Sequence, residues 1–388
     1  MTAVGTGRLP RRADAAPAPR SPRVLLAPVT VTPTKPLSPS HLKGLLWTDV
    51  MYRATAHLGQ VTYRCSQTAL HLTEQTLGFW EYLDRVLGDT GYRDRSEQDI
   101  GELYVRYREE GRDVPAEALR PYAEAAERYG WVHPASRRVL ELWTAHYARL
   151  GMHDPGLTLH QPPGFTLEEM LAWLDARGLC LDLRGSGGPV YLDPTRHGMP
   201  LRRLVSPDGR PNLLACALRD LLPLAASHDE VVLLHDTDLE PDYRLLARVL
   251  AHAGPQVRRV ALGRVPIDGR VRTARQGDWR GRSAGDLLDA LGTPPTPRGE
   301  ALLRLAMRLY FIGSLGPGGR RSFQLEELRS RVGRAGRLLD APPGDDDVAG
   351  FLARHREGLH VDPYRLTAGL LARHRPVPAG ALVPAVYT

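Results

Sequence analysis

Short apolar runs rich in branched residues, each trailed by helical periodicity, constrain this chain most. RVLLAPVTVT (residues 23–32) and EVVLLHDTD (230–238) read as buried strands, and VRRVALGRVPI (257–267) as a third strand. A helix follows the first run: Ser38 is a good N-cap, Pro39 fits the first helical position, and Leu42, Leu45, Leu46 and Val50 share one face. DYRLLARVLAHAG follows the second run in the same way. Strands alternating with helices predict an α/β fold, a doubly wound parallel sheet of the Rossmann type, with ligands outside the strand C-termini. Residues 91–227 read as a mostly helical insertion, broken by GSGGPVYLDPTRHGMP (185–200), whose Gly and Pro residues predict hairpins. The expected organisation is a Pro/Ala/Arg tail over 1–22, too poor in apolar residues to order, a nucleotide-binding domain over 23–283 and a helical region over 284–388.

Composition narrows the class. At 388 residues, 42% hydrophobic and 24% charged, the chain has the profile of an ordinary soluble protein. It contains no run of 18 apolar residues and its start lacks the apolar centre of a secretory signal, so a cytoplasmic location is the default expectation. Cys65, Cys180 and Cys216 are scattered and lack CxxC spacing, which indicates neither a disulfide framework nor a zinc site. The net charge of +7 suits a polyanionic partner, but part of it lies in the tail, and no basic run interleaved with aromatics marks a nucleic-acid groove.

Among 51 basic residues, only Lys35 and Lys43 are lysines, and both fall in TPTKPLSPSHLKG (32–44). An ammonium is a compact point charge, whereas a guanidinium is a broad planar fork. The stretch runs from a strand through a Pro-containing loop into a helix start, where free N–H groups and the helix dipole favour bound phosphate. Lys43 and His41 are therefore expected to form a phosphate site, with Lys35 held extended before Pro36 at its mouth. His235, Asp236 and Asp238 have the residue types of metal ligands, but alternate residues of a strand point to opposite faces, and no metal site is expected. Asp345, Asp346 and Asp347 read as a solvated loop, and His71, His146 and His160 as core or surface residues.

Taken in order, these segments resemble the class I aminoacyl-tRNA synthetases, most closely the arginyl-tRNA synthetase family. TPTKPLSPSH (32–41) is similar to the family's first signature, N-P-T-G-P-L-H-x-G-H. GGPVYLDPTRHGMPLRRLVSPDG (187–209) resembles its Ser-Asp-Gly segment, and HDTDLEPDYRLLARVLAHAG (235–254) the strand and helix that carry a nucleotide-side Asp, here Asp238. DGRVRTARQGD (268–278) stands where the family has its K-M-S-K loop, with AGDLLDAL following. The resemblance implies a class I synthetase-like fold, ATP as cofactor with Mg2+ as an optional companion, and nucleotide contacts from Ser40, Asp238, Arg270, Arg272 and Arg275. Ser38, His41 and Lys43 would carry the catalytic role.

The departures change the expected chemistry. Ser38 replaces the signature's first His, and Ser40 the Gly that lets the nucleotide approach the backbone. Arginines replace the loop lysines. In the substrate pocket Thr32 stands for an Asn, Thr68 and Ala69 for an Asn-Asp pair, and Leu213 and Ala217 for a Tyr and an Asp. A guanidinium needs carboxylate partners to leave water, so arginine is not the expected substrate. Three readings follow: a repurposed ligase that activates an unidentified amino acid or small carboxylic acid through an adenylate, a catalytically silent paralogue that binds nucleotide or tRNA, and, last, a true arginine-tRNA ligase. Any tRNA contact is expected to be weak, because the C-terminal helical region is short.

Overall fold

The structure, a computed structural model, describes residues 20–273, 276–342, 347–372 and 377–388. Most of the expected tail, Arg275, Asp345 and Asp346 lie outside the described residues. In chain order the first elements are β1 (Arg23–Ala27), α1 (Pro39–Ala56), β2 (Gln60–Tyr63), α2 (Gln67–His71) and α3 (Glu74–Leu87). Helices α4 (Glu97–Glu110), α5 (Ala116–Tyr129), α6 (Pro134–Arg149) and α7 (Leu167–Asp175) follow. An antiparallel meander comes next, formed by β3 (Cys180–Asp182), β4 (Val190–Leu192) and β5 (Arg202–Val205), and then α8 (Leu213–Ala225). The chain then returns to the main sheet with β6 (Glu230–Asp236), α9 (Glu240–Ala251) and β7 (Gln256–Leu262). The remainder is helical: α10 (Ala284–Ala290), α11 (Pro297–Arg308), α12 (Leu325–Leu339), α13 (Val348–Ala353), α14 (Pro363–Leu371) and α15 (Ala379–Leu382), with the short pair β8 (Arg356–Glu357) and β9 (His360–Val361).

The main sheet has the order β2-β1-β6-β7, and every pairing in it is parallel. Its two central strands are buried on both faces, as their uninterrupted apolar sequences require. Val24, Leu26, Val232 and Leu234 pack with Trp47 and Val50 of α1 and with Leu305 of α11. The alternate residues Leu25, Ala27, Val231 and Leu233 pack with Leu218 and Leu222 of α8 and Leu246 of α9. Each such side chain contributes about 1.5–3 kcal/mol when taken out of water. β7 is an edge strand, and there Arg258 and Arg259 face outward.

Helix α1 is held by polar contacts as well as by its apolar face. Ser38 caps it in an extended conformation, and the His41 ring closes the first turn by accepting the Ser38 N–H at Nδ1, 3.1 Å away. One turn on, the buried Lys43 ammonium donates to three carbonyl oxygens: Gly263 at 2.8 Å, Pro317 at 3.1 Å and Gly318 at 2.7 Å. Those carbonyls converge because the backbone after β7 lies directly against the 316–319 loop. A Cβ on Gly263 would stand 2.3 Å from the Gly319 nitrogen. Further along α1, Asp49 meets the fully buried Arg308 of α11 at 2.6 Å.

Lys43→Met should leave the Gly263 and Gly318 carbonyls without this donor, while Pro317 keeps the Gly263 N–H, and lower folding stability by about 2–3 kcal/mol. Lys43→Arg should recover less than half of that loss, since a planar fork does not match three carbonyls set around a point. Urea unfolding of the three proteins reads this out. Equal midpoints would show that the ammonium is not a structural tie.

His71 gives a second expectation. Its ring is buried against Trp80, 5.2 Å between centroids, its Nε2 has no hydrogen-bond partner, and burial lowers its pKa to about 3. The unfolded chain therefore takes up this proton first, near pH 6.5. The stability tied to neutral His71 is complete above that pH and is lost as pH falls toward 3, by about 1.4 kcal/mol per pH unit. Denaturation midpoints at pH 7, 5.5 and 4.5 should show a shallower acid loss in His71→Phe than in the wild type. An unchanged slope would place the proton uptake elsewhere.

Candidate functional site

In the sheet, β2 lies on one side of β1 and β6 on the other, so connections leave β1 and β6 in opposite directions. This opens a crevice at their C-terminal ends, the general ligand position in such sheets. The N-terminus of α1 enters it with Ser38, Ser40 and His41, and the segment ending β6 brings Asp236 and Asp238. Of the expected site residues, these are the ones that the fold brings to one place.

Their partners set the electrostatics. Arg264, just after β7, lies 3.5 Å from Asp236 and 3.3 Å from Asp238. Burial pushes the Asp236 carboxyl above its usual range, against the pull of Arg264. His41 is lowered to about 3 by burial, then by the charges of Lys35 and Arg264, with the Pro36 carbonyl opposing the shift. The ring is therefore neutral near pH 7, and with Nδ1 accepting from Ser38 its proton is assigned to Nε2. His41 is a neutral donor at this helix end, not a cation.

Lys35 does not stand at the mouth as expected. Its side chain is buried, with the ammonium 3.1 Å from Thr32 Oγ1, 3.3 Å from Thr34 Oγ1 and 4.9 Å from the centre of the Tyr104 ring. Lys35 lies at a bend of the loop between β1 and α1, with its ammonium among the loop's own hydroxyls. Lys43 also differs from expectation: its three carbonyl acceptors turn the ammonium away from any phosphate at Ser38. Ser40 accepts the Val265 N–H at 3.0 Å, which ties α1 to the segment after β7.

A residue not singled out from the sequence completes the crevice. Asp278 reaches the α1 terminus beside the Ser38 hydroxyl and feels both Lys35 and Arg264. Burial nevertheless holds its carboxyl up at about 6, and its Oδ1 has no hydrogen-bond partner. The segment carrying it is clamped: Arg280 bonds both oxygens of Glu102 at 2.6 Å, Trp279 packs on Gly101, and the Ala284 N–H donates to Leu37 at 2.9 Å. Asp278 closes the DGRVRTARQGD stretch, so its position was visible there, but its direction was not. Arg270 and Arg272 of the same stretch are exposed. Arg270 pairs with Ile267 across a tight turn in which Asp268 and Gly269 have φ of 51° and 77°. Those positive angles match the turn preference of an Asp-Gly pair.

The cluster His235, Asp236, Asp238 separates. His235 is buried on the ring of Tyr243, 4.6 Å away, and approaches Glu240 at 3.3 Å, while Asp236 and Asp238 face Arg264. Among the described residues no group of three or more His, Cys, Asp or Glu is placed to hold a metal ion. His146 and His160 make structural contacts, with Glu97 at 3.1 Å and the Glu127 carbonyl at 3.0 Å.

The expected substrate-pocket hydroxyls are also committed. Thr32 accepts from Gln75 at 2.8 Å and Thr68 from the Gln161 N–H at 3.0 Å. Beside the crevice, between the loop after β1, α2, α8 and α9, lies a cavity of about 50 Å³ whose wall includes Ala69, Leu213 and Ala217. At its edge Arg64 binds Asp220 at 2.6 Å. Neither member of this pair was singled out, because each is an ordinary charged residue in sequence and 156 positions separate them.

No family model matches the sequence, and no curated protein matches it. Among solved structures the chain is similar to the arginyl-tRNA synthetase of Thermus thermophilus, with 17% identity, a TM-score of 0.57, and coverage of 92% of this chain and 70% of that one. It is also similar to the arginyl-tRNA synthetase of Plasmodium falciparum, with 13% identity, a TM-score of 0.51, and coverage of 82% and 57%. Likeness at this identity is likeness of fold. The chain therefore has a divergent arginyl-tRNA synthetase-like fold.

Proposed function

We propose that this chain is an ATP-dependent acyl or aminoacyl ligase that works through an adenylate and does not charge tRNA with arginine. The observation that carries the reading is the gathering of Lys35, Arg264, neutral His41 and the α1 N-terminus at the crevice where β1 and β6 diverge. Free N–H groups and fixed positive charge at a helix start stabilise phosphate. In the proposed reaction a carboxylate oxygen of the acid attacks the α-phosphorus of ATP, and the bond to the β-phosphate oxygen breaks to release pyrophosphate. An acceptor amine or hydroxyl then attacks the acyl carbon, AMP leaves, and the nucleophile's proton passes to solvent. His41 Nε2 would donate to a phosphate oxygen, Arg264 would offset charge on the leaving group, and Asp238 would face the nucleoside. Mg2+ would arrive with the nucleotide, since Asp236 and Asp238 already share Arg264.

Arginine is disfavoured because the carboxylate at the cavity, Asp220, is already bound by Arg64. The net charge of +7 suits a weak, salt-sensitive tRNA contact. A cytoplasmic location belongs to the same reading. Among the described residues no helix is long and apolar enough to cross a membrane.

A second reading, a nucleotide-binding paralogue without chemistry, is favoured by one observation. Asp278 places a carboxylate where phosphate would bind, and like charges there oppose each other. Both readings predict ATP binding limited by this group. Asp278→Asn should tighten ATP about tenfold by calorimetry at pH 7.5, whereas His41→Ala should weaken it by a similar factor. Because Asp278 titrates near 6, wild-type affinity should also rise as pH falls from 7 to 5.5, with a smaller rise in Asp278→Asn. ATP binding by neither protein would end both readings. Acid-dependent ATP–pyrophosphate exchange would separate the ligase from the silent form.

A further inference from the structure

The cavity beside the crevice says what kind of acid such a ligase would take, an inference that rests on the adenylate reading. Its wall is largely apolar, with Ala69, Leu70, Leu213, Ala217, Leu221 and Leu246, and carries polar groups of Arg64, Ser66, Asp220 and Tyr243. Its position is a ligand position: Ala27 to Thr30, the end of β1 and the residues after it, form one side. The same segment packs on α1, since a Cβ on Gly44 would stand 2.2 Å from Val29 Cγ2. Cavity and helix start are thus joined by one short stretch of chain.

The polar groups at the wall are already satisfied. Asp220 accepts from Arg64 Nε at 3.0 Å and from Nη2 at 2.6 Å, and two further guanidinium N–H groups reach Gln161 Oε1 at 3.2 Å and the Pro162 carbonyl at 3.1 Å. The Tyr243 hydroxyl lies beside Thr30. A guanidinium or ammonium entering here would leave water and find no free carboxylate, which is costly. A volume of about 50 Å³ is well below the ~150 Å³ that holds benzene, and one water-sized group needs ~10–15 Å³. The space accepts roughly four non-hydrogen atoms.

We propose that this cavity is a specificity pocket for an uncharged aliphatic group of about three to four carbon atoms, so that the activated acid is a short aliphatic amino acid or the corresponding carboxylic acid. Ala217 and Ala69 set its size and Leu246 closes its depth. The Arg64–Asp220 pair rejects cationic side chains.

Direct binding and ATP–pyrophosphate exchange should be measured with valine, leucine, isovalerate, phenylalanine and arginine on the wild type, Ala217→Leu and Leu246→Ala, each checked for folding by circular dichroism. Aliphatic acids should bind the wild type, Ala217→Leu should weaken them at least tenfold, and Leu246→Ala should admit phenylalanine. Exchange should follow the same order. Isovalerate or valine binding that Ala217→Leu removes, without exchange for any acid, would keep the pocket and end the adenylate reading. Exchange that prefers arginine or phenylalanine in the wild type would keep the adenylate and overturn the pocket. Failure of every aliphatic acid to bind, or aliphatic binding untouched by Ala217→Leu, would also overturn it.

Discussion

The Lys43 ammonium, donating to the carbonyls of Gly263, Pro317 and Gly318, fixes the relation between α1, the end of β7 and the loop before α12. Everything at the crevice depends on that relation, because Ser38, Ser40 and His41 start α1, Arg264 follows Gly263, and Asp278 lies on the segment beyond. Burial lowers the Lys43 pKa to about 8, with Asp236 acting in the opposite direction, so the charge is largely kept near neutral pH. Three acceptors around one point suit an ammonium and not a fork. That accounts for lysine at this position in a chain otherwise served by arginine.

With Lys43 committed to the scaffold, positive charge at the crevice comes from Lys35 and Arg264. Neither is free of local anions: Arg264 is shared between Asp236 and Asp238, and Lys35 acts on Asp278. The site is close to internal balance. In the proposed reading a triphosphate would compete there with carboxylates of the chain itself, and the clamp of Arg280 on Glu102 with buried Trp279 holds one of those carboxylates in place. Under that proposal nucleotide affinity would be set by differences between anions rather than by the total positive charge.

A similar displacement shapes the neighbouring cavity. Asp220 is half of an ion pair closed by Arg64, and the rest of the wall is largely apolar, so the electrostatic demand of the wall is met without a ligand. The fold is similar to that of arginyl-tRNA synthetases, and the charged groups at its crevice are met by partners within the chain. Fold similarity alone does not carry the substrate.

The sheet was legible because its central strands are buried on both faces, which forces near-continuous Val and Leu at 23–27 and 230–236. The start of α1 was legible because Ser38 and Pro39 are local signals, each acting within one turn. The ordered motifs also placed Ser38, His41 and Asp238 at one crevice. The partners could not be read in the same way. Lys43 meets oxygens 220 and more positions away, Arg64 meets Asp220 from 156 positions away, and Asp278 returns to Ser38 from beyond β7. By itself the sequence determined which segments become strands and helices and which ends of the sheet they would present, since those depend on neighbouring residues and periodic burial. Only the tertiary structure decided whether each charged side chain faces ligand or protein, because a charge is directed by whichever partner the fold brings within about 3 Å of it.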